Sequence, residues 1–364
     1  MSKITFVLLP LFSMVLVFTS CGEIDLRSPI TEVDSGIIDS LLSDYDLVEG
    51  PGAAVMIIKD GEILFSKGYG LANLEEEISN TNETNFRLAS ITKQFTAMCI
   101  MILINHGELD FESTLTDIFS AFPSYGNNIT IRQMLNHTSG LVDYESLIPD
   151  DASEQVSDGD IYTMMLGLSS TYFTPGTHYR YSNTGYALLA MIVEEKSGLI
   201  FSEFLEENIF SPLEMNNSVA HQEGISNITN RAYGYSQGDD GYNLDDQSLT
   251  SAVLGDGGIY TSLNDMFRWD QSLYTDSLVP YEILNEAFTS GELSSGEKTG
   301  YGFGWRIDSY LYRERVAHTG STRGFRNVYM RFPDQHISIL ILTNRNSGSP
   351  FNIAEKIADY LFDA

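Results

Sequence analysis

The sequence is poor in the features that would assign it to several common classes. It has only two cysteines, Cys21 and Cys99, which excludes a framework of several disulfides. Basic residues are scarce, 20 Lys+Arg against 50 Asp+Glu, for a net charge of −30. A surface that acidic repels phosphate backbones and excludes nucleic acid as a natural partner. None of the six histidines pairs with another at helical ligand spacing, and no His-Glu-x-x-His occurs, which argues against a zinc hydrolase and leaves no metal or other cofactor to expect. Beyond the first twenty residues no apolar run reaches the ~20 residues of a bilayer span. The longest, Phe95 to Ile104, reads as a buried helix with Cys99 as a small core residue.

What is present begins with an export signal. Met1 to Ser20 carries a single charge, Lys3, followed by the apolar run Ile4 to Phe18. That layout predicts a signal peptide over residues 1–20. The sequence Phe18-Thr19-Ser20-Cys21-Gly22 resembles a bacterial lipoprotein processing site, with Phe18 where Leu or Val is usual. Cys21 is therefore expected to be lipidated; ordinary signal cleavage is the alternative. Residues 21–29 would form an anchor and linker, and residues 30–362 one domain. The expected location is the bacterial cell envelope, in the periplasm or lipid-anchored at the outer membrane.

Periodicity predicts the architecture. Ile37, Ile38, Leu41, Leu42 and Tyr45 fall at helical spacing within residues 30–47. Ala53 to Ile58 and Ile63 to Phe65 flank Asp60-Gly61, the signature of a hairpin with a type I′ turn. Near the other end, Arg315 to His318, Phe325 to Phe332 and Ile337 to Thr343 read as strands, with Pro333-Asp334 as a turn and a closing helix from Ile353 to Leu361. Tyr301 to Ile307 is expected to add a strand, and the acidic stretch 238–246 a solvated loop. The fold class is α/β (α+β): an antiparallel sheet from both chain ends, with flanking helices and an inserted helical lobe. The sheet lobe takes residues 30–85 and 255–362, the helical lobe 86–254.

Three short motifs carry chemistry. Ser90-Ile91-Thr92-Lys93 opens the most apolar helix, and residues three apart on a helix share a face. A lysine there can take the proton that keeps a serine hydroxyl from acting as a nucleophile, and the helix N-terminus favours a developing oxyanion. Tyr181-Ser182-Asn183 lies where a loop enters a helix; tyrosine can relay a proton, and asparagine can both donate to and accept from an amide. A helix cap with an aromatic anchor is the structural alternative. His318-Thr319-Gly320 precedes the Gly324-Phe325 hairpin and can offer backbone N–H groups to a substrate. Ser295-Gly296-Glu297-Lys298 and Lys298-Thr299-Gly300 repeat two of these spellings in a loop context and are set aside.

Together with Phe86-Arg87-Leu88-Ala89, Leu135-Asn136-His137-Thr138-Ser139-Gly140-Leu141, Phe173-Thr174-Pro175-Gly176, Gly257-Gly258-Ile259-Tyr260-Thr261-Ser262 and Tyr301-Gly302-Phe303-Gly304-Trp305, these motifs carry a resemblance. The chain resembles the serine β-lactamase and penicillin-binding protein superfamily, in the class C β-lactamase-like branch with its D-aminopeptidases, D-alanyl-D-alanine carboxypeptidases and esterases. The resemblance implies Ser90 as acylated nucleophile, Lys93 as its proton-accepting neighbour and Tyr181 as base or relay. It further implies Asn183, His318, Thr319 and Gly320 as substrate-binding residues, with the Ser90 and Ser321 N–H groups at the oxyanion. Whether Lys93 or Tyr181 takes the first proton is open. His318 stands where antibiotic-hydrolysing relatives carry lysine. An esterase or D-amino-acid peptidase/carboxypeptidase acting on a small-molecule or peptide ester or amide is therefore expected ahead of a β-lactamase. A weakly catalytic penicillin-recognising scaffold is the competing class. His137 and Ser139 are assigned to a structural turn.

Overall fold

The computed structural model describes residues 32–363, so the expected signal segment and Cys21 lie outside the described residues. Six strands form one antiparallel sheet: β1 (Ala53–Lys59), β2 (Glu62–Tyr69), β3 (Arg306–Tyr310), β4 (Arg313–Thr322), β5 (Phe325–Phe332) and β6 (Ile337–Thr343). Their order across the sheet is β3-β4-β5-β6-β1-β2. The two chain ends meet at its centre, where Ala53 pairs with Thr343 and Lys59 with Ile337.

Sequence explains why these two strands are central. Both are almost wholly apolar, and a strand buried on both faces needs no polar alternation. Ala54, Met56, Ile58, Leu340 and Leu342 face one core, while Ala53, Val55, Ile57, Ile339 and Ile341 face the other. The β1–β2 turn uses Asp60 and Gly61, both at positive φ (51° and 81°), as a type I′ hairpin requires.

The outer core is closed by α1 (Ser35–Leu41), shorter than the 30–47 periodicity suggested, and by a helix at the opposite end of the chain, Pro350–Asp363, through Ala354, Ile357, Ala358 and Leu361. The inner face meets α2 (Lys93–Asn105), in which every residue from Lys93 to Leu103 is buried. A helix apolar all round belongs inside a core. Behind it pack α3 (Asp158–Leu166), α4 (Asn183–Ser197), α5 (Leu263–Ser272) and several shorter turns. The helix Pro350–Asp363 is α6.

Two local expectations fail. Tyr301 to Trp305 is not a strand; Gly302 N–H donates to the Trp305 carbonyl at 2.8 Å and closes a turn, so β3 starts only at Arg306. The acidic stretch is a hairpin of two short strands, Tyr235–Gly238 and Gly241–Leu244, reversed at Asp239-Asp240. Tyr235 is buried there, while Leu244, its partner across the hairpin, is exposed.

Candidate active site

Ser90 sits in a single 3-10 turn, Ala89–Thr92, that runs directly into α2 at Lys93. The residue before it, Ala89, has φ +50°, a left-handed conformation costly for a residue with a Cβ. The turn is pressed against β4, where a Cβ on Gly320 would lie 1.9 Å from the Leu88 carbonyl oxygen. Only glycine lets the strand approach this closely.

Lys93 is fully buried, and its ammonium donates to Ser90 Oγ at 3.2 Å, Asn183 Oδ1 at 2.9 Å and the Asp256 carbonyl at 2.8 Å. Those acceptors come from the turn that leads into α2, the first residue of α4 and the one-turn helix Leu254–Gly257. Ser182 caps α4 by accepting from Gly185 N–H at 3.2 Å, so the capping role and the placement of Asn183 coincide. The one-turn helix is held in turn by Asp158, whose carboxylate accepts from the N–H groups of Leu254 and Gly255. Burial pushes the Asp158 carboxyl up to about 8, with Asp256 adding to the shift.

A small cleft opens above Ser90, walled by Arg87, Tyr144, Glu145, Asn183, Asp256, Ser321 and Thr322 among others. Beyond Glu145 and Thr250 it continues into a broader groove past Ile148, Pro149 and Leu249. Ser90, Asn183 and Ser321 thus share one cavity, with Lys93 beneath them.

Tyr181 is placed differently from a hydroxyl-to-hydroxyl relay. Lys93 Nζ lies over its ring, 5.1 Å from the centroid, and its buried hydroxyl has no hydrogen-bond partner. Its ring also packs against His137 at 4.2 Å between centroids. His137 is fully buried, at φ +63°, and its Nδ1 accepts the Ser182 N–H at 3.2 Å. Burial and the nearby Lys93 push its pKa well below the usual imidazole range. The turn residue His137 therefore braces the Tyr181–Asn183 segment.

His318 does not reach the cleft with its side chain. It is buried, its Nδ1 donates to its neighbour's carbonyl (Thr319 O, 2.7 Å), and Nε2 is left to accept the Tyr301 hydroxyl at 2.9 Å. Burial, then Lys93, push its pKa down to about 3, so the ring is neutral. Thr319 and Gly320 shape β4 rather than wall the cavity, and the strand's contribution to the wall is Ser321 and Thr322. The expectation of a substrate-facing imidazole is replaced by a ring that holds Tyr301 in an aromatic cluster with His137 and Tyr181. Lys298 is exposed in its loop and paired with Glu292 at 2.6 Å.

Four participants went unread in the sequence: Tyr144, Glu145, Asp256 and the hydroxyl of Tyr301. Tyr144 donates to Asp256 Oδ2 at 2.9 Å, and Glu145 Oε1 accepts from Asn183 Nδ2 at 3.3 Å. The only signal was adjacency to motifs already noted, Ser139-Gly140-Leu141 and Gly257-Gly258.

Known proteins resemble this chain over most of its length. The family model described as Beta-lactamase matches residues 45–362. Penicillin-binding protein 4* of Bacillus subtilis is 32% identical over 338 residues, covering 84% of this chain and 74% of that protein. The D-aminopeptidase of Gluconobacter oxydans is 28% identical over 85% of this chain, which spans only 58% of that enzyme. Among solved structures, the octameric penicillin-binding protein homologue of Pyrococcus abyssi superimposes with a TM-score of 0.78 at 27% identity, covering 91% of this chain and 78% of that one. The D-amino acid amidase of Ochrobactrum anthropi shares the fold, with a TM-score of 0.74 at 21% identity over 90% of this chain and 98% of that one.

Proposed function

Because the chain belongs to the Beta-lactamase family, we propose that it is a serine hydrolase that cleaves an ester or amide through an acyl-enzyme on Ser90. The observation that carries the assignment to Ser90 is Lys93 Nζ, buried and bridging Ser90 Oγ to Asn183 Oδ1 at the base of the cleft. In this reading the Lys93 amine accepts the Ser90 proton as Oγ bonds to the acyl carbon. The resulting ammonium is stabilised by Asn183, by the Asp256 carbonyl and by the face of the Tyr181 ring. That geometry supports Lys93 over Tyr181 as the first base, with Tyr181 an electrostatic partner. The tetrahedral oxyanion is received by the Ser90 and Ser321 N–H groups. The leaving alcohol or amine takes the proton, and water then hydrolyses the ester to Ser90.

Substrate class follows from the names of the relatives and from the neutral strand residue. A D-amino-acid peptidase or an esterase fits better than a β-lactamase, since the buried, neutral His318 offers no cation to a substrate carboxylate. Export, with lipidation at Cys21, is proposed on the layout of residues 1–22 alone; palmitate labelling that is lost in Cys21→Ser tests it.

The decisive experiment is intact-mass analysis after a fluorophosphonate probe. An adduct in the wild type that vanishes in Ser90→Ala is expected, and labelling that survives the substitution refutes the nucleophile. Lys93→Ala should cut turnover by ~10²–10⁴-fold, the range for a positioned acid–base group. Tyr181→Phe, which keeps the ring under Lys93, should lose far less than Tyr181→Ala.

A further inference from the structure

A second cavity lies in the helical lobe, and it shares no lining residue with the Ser90 cleft. Phe210, Ala220 and Leu254 give it an apolar wall. Ile200 and Ile225 also line it, yet remain 54% and 73% exposed. Part of the wall departs from α-helical geometry. After the short helix Phe201–Leu205 comes a single π turn, Glu206–Phe210, in which Ser211 N–H donates to the Glu206 carbonyl at 2.9 Å. Such turns are rare and occur mostly at functional sites.

Every ionisable residue on the lining is an acid: Glu203, Glu206 and Glu207. Their spacing of three and four places them on one helix face, where like charges repel. Glu206 accepts from Ser211 Oγ at 2.7 Å, but the carboxylates of Glu203 and Glu207 have neither a hydrogen bond nor an ion pair. Two deficits of different kinds therefore meet in one hollow: apolar surface left in water, and negative charge left without a counter-ion. One class of ligand answers both. The glutamates repel an anion, a neutral apolar molecule leaves them unpaired, and an inorganic cation gains nothing from the isoleucines.

We propose that this cavity is a binding site for an amphipathic organic cation, its hydrocarbon part against Phe210 and Leu254 and its ammonium beside Glu203 and Glu207. The net charge of −30 draws such a ligand to the surface, and the apolar wall decides where it settles. The site is separate from the Ser90 cleft but abuts it through one element. Leu254 begins the one-turn helix whose Asp256 and Gly257 line the cleft on its other side.

The test is calorimetric titration of the purified protein at neutral pH with n-hexylammonium, methylammonium, 1-hexanol and hexanoate. Hexylammonium should bind best, by about thirtyfold or more over methylammonium, since each buried CH₂ is worth about fourfold. Hexanoate should not bind. Glu203→Gln/Glu207→Gln should weaken hexylammonium about fivefold and leave hexanol unchanged, whereas Ile200→Ser/Ile225→Ser should weaken both. All four positions are exposed, so the variants keep the fold. A control pair, Glu49→Gln/Glu297→Gln, removes two exposed charges away from the cavity and should alter affinity less than about twofold. Equal effects of the two glutamine pairs would reduce binding to attraction by overall charge and overturn the site. Hexanoate binding as tightly as hexylammonium, or no measurable binding of hexylammonium, would do the same. So would loss of hexylammonium binding once Ser90 carries the fluorophosphonate, because the cation would then occupy the Ser90 cleft.

Discussion

His318-Thr319-Gly320 and Lys298-Thr299-Gly300 end in the same two residues and occupy opposite environments. The first lies within β4, its histidine buried and its glycine pressed on the Ser90 turn. The second is a surface loop whose lysine is 61% exposed and tied to Glu292, itself 53% exposed. The Lys298 spelling is the one that matches the better-known motif, yet it lies on the surface. A tripeptide acquires a role through the backbone that carries it, and here the carrier is a strand whose edge must touch the nucleophile turn.

Substitutions at the glycines should separate the two motifs most widely. Gly320→Ala places a Cβ 1.9 Å from the Leu88 carbonyl and must push β4 off the Ser90 turn. The expected cost is about 3 kcal/mol or more in stability, with activity reduced at least 100-fold, read by thermal melts and kcat/KM. Gly300→Ala meets the Ile307 carbonyl only at 3.4 Å and pays chiefly for its φ of +68°, about 1 kcal/mol. Comparable damage at both positions would erase the contrast.

The histidine comes next. His318→Ala strands the Tyr301 hydroxyl and leaves a hole under the aromatic cluster, so kcat/KM should fall about tenfold. His318→Asn can restore an acceptor and should recover part of the loss. A full loss with no recovery would point to direct substrate contact instead of positioning.

A smaller effect is pH-dependent stability. The unfolded chain takes up a proton on His318 near pH 6.5, while the folded chain resists until about 3. Stability from this group is therefore complete above pH 6.5 and is lost steadily as pH falls toward 3. Its buried neighbour His137 acts in the same direction. The melting temperature of the wild type should drop across pH 6.5 to 4, and His318→Asn should flatten that slope. An identical slope in the variant would show that the imidazole is not held neutral.

Lys298→Ala should change least: no more than about 0.5 kcal/mol in stability and no measurable change in activity, as for an ion pair largely in water. A tenfold loss of activity there would reverse the assignment of the two motifs.

The sheet was readable because its strands announce themselves locally. Phe325–Phe332 is rich in aromatic residues, Ile337–Thr343 is an apolar run, Pro333 punctuates them, and Asp60-Gly61 specifies its own turn. Tyr301 to Trp305 misled because aromatics favour strands, whereas the Gly302–Trp305 bond that makes it a turn is not a local propensity. Ser90, Lys93 and Asn183 could be picked out because their spacing and flanks are distinctive, and the structure brings them within hydrogen-bond reach. Asp256 and Tyr144 could not, for their bond joins residues 112 apart. Similarly, the His318 ring is turned from the cleft by Tyr301, a partner seventeen positions upstream.

The pairing of β1 with β6 also has a consequence in time. Ala53 meets Thr343 at the centre of the sheet, 290 residues later in the chain. At ~5–20 residues per second, synthesis must run for roughly 15–60 s before the partner of β1 exists. Until then, the β1–β2 hairpin presents Val55, Met56, Ile57 and Ile58, all destined for the interior, with one edge unpaired. The newborn amino-terminal half is thus a sticky intermediate that depends on being shielded until the last strand arrives.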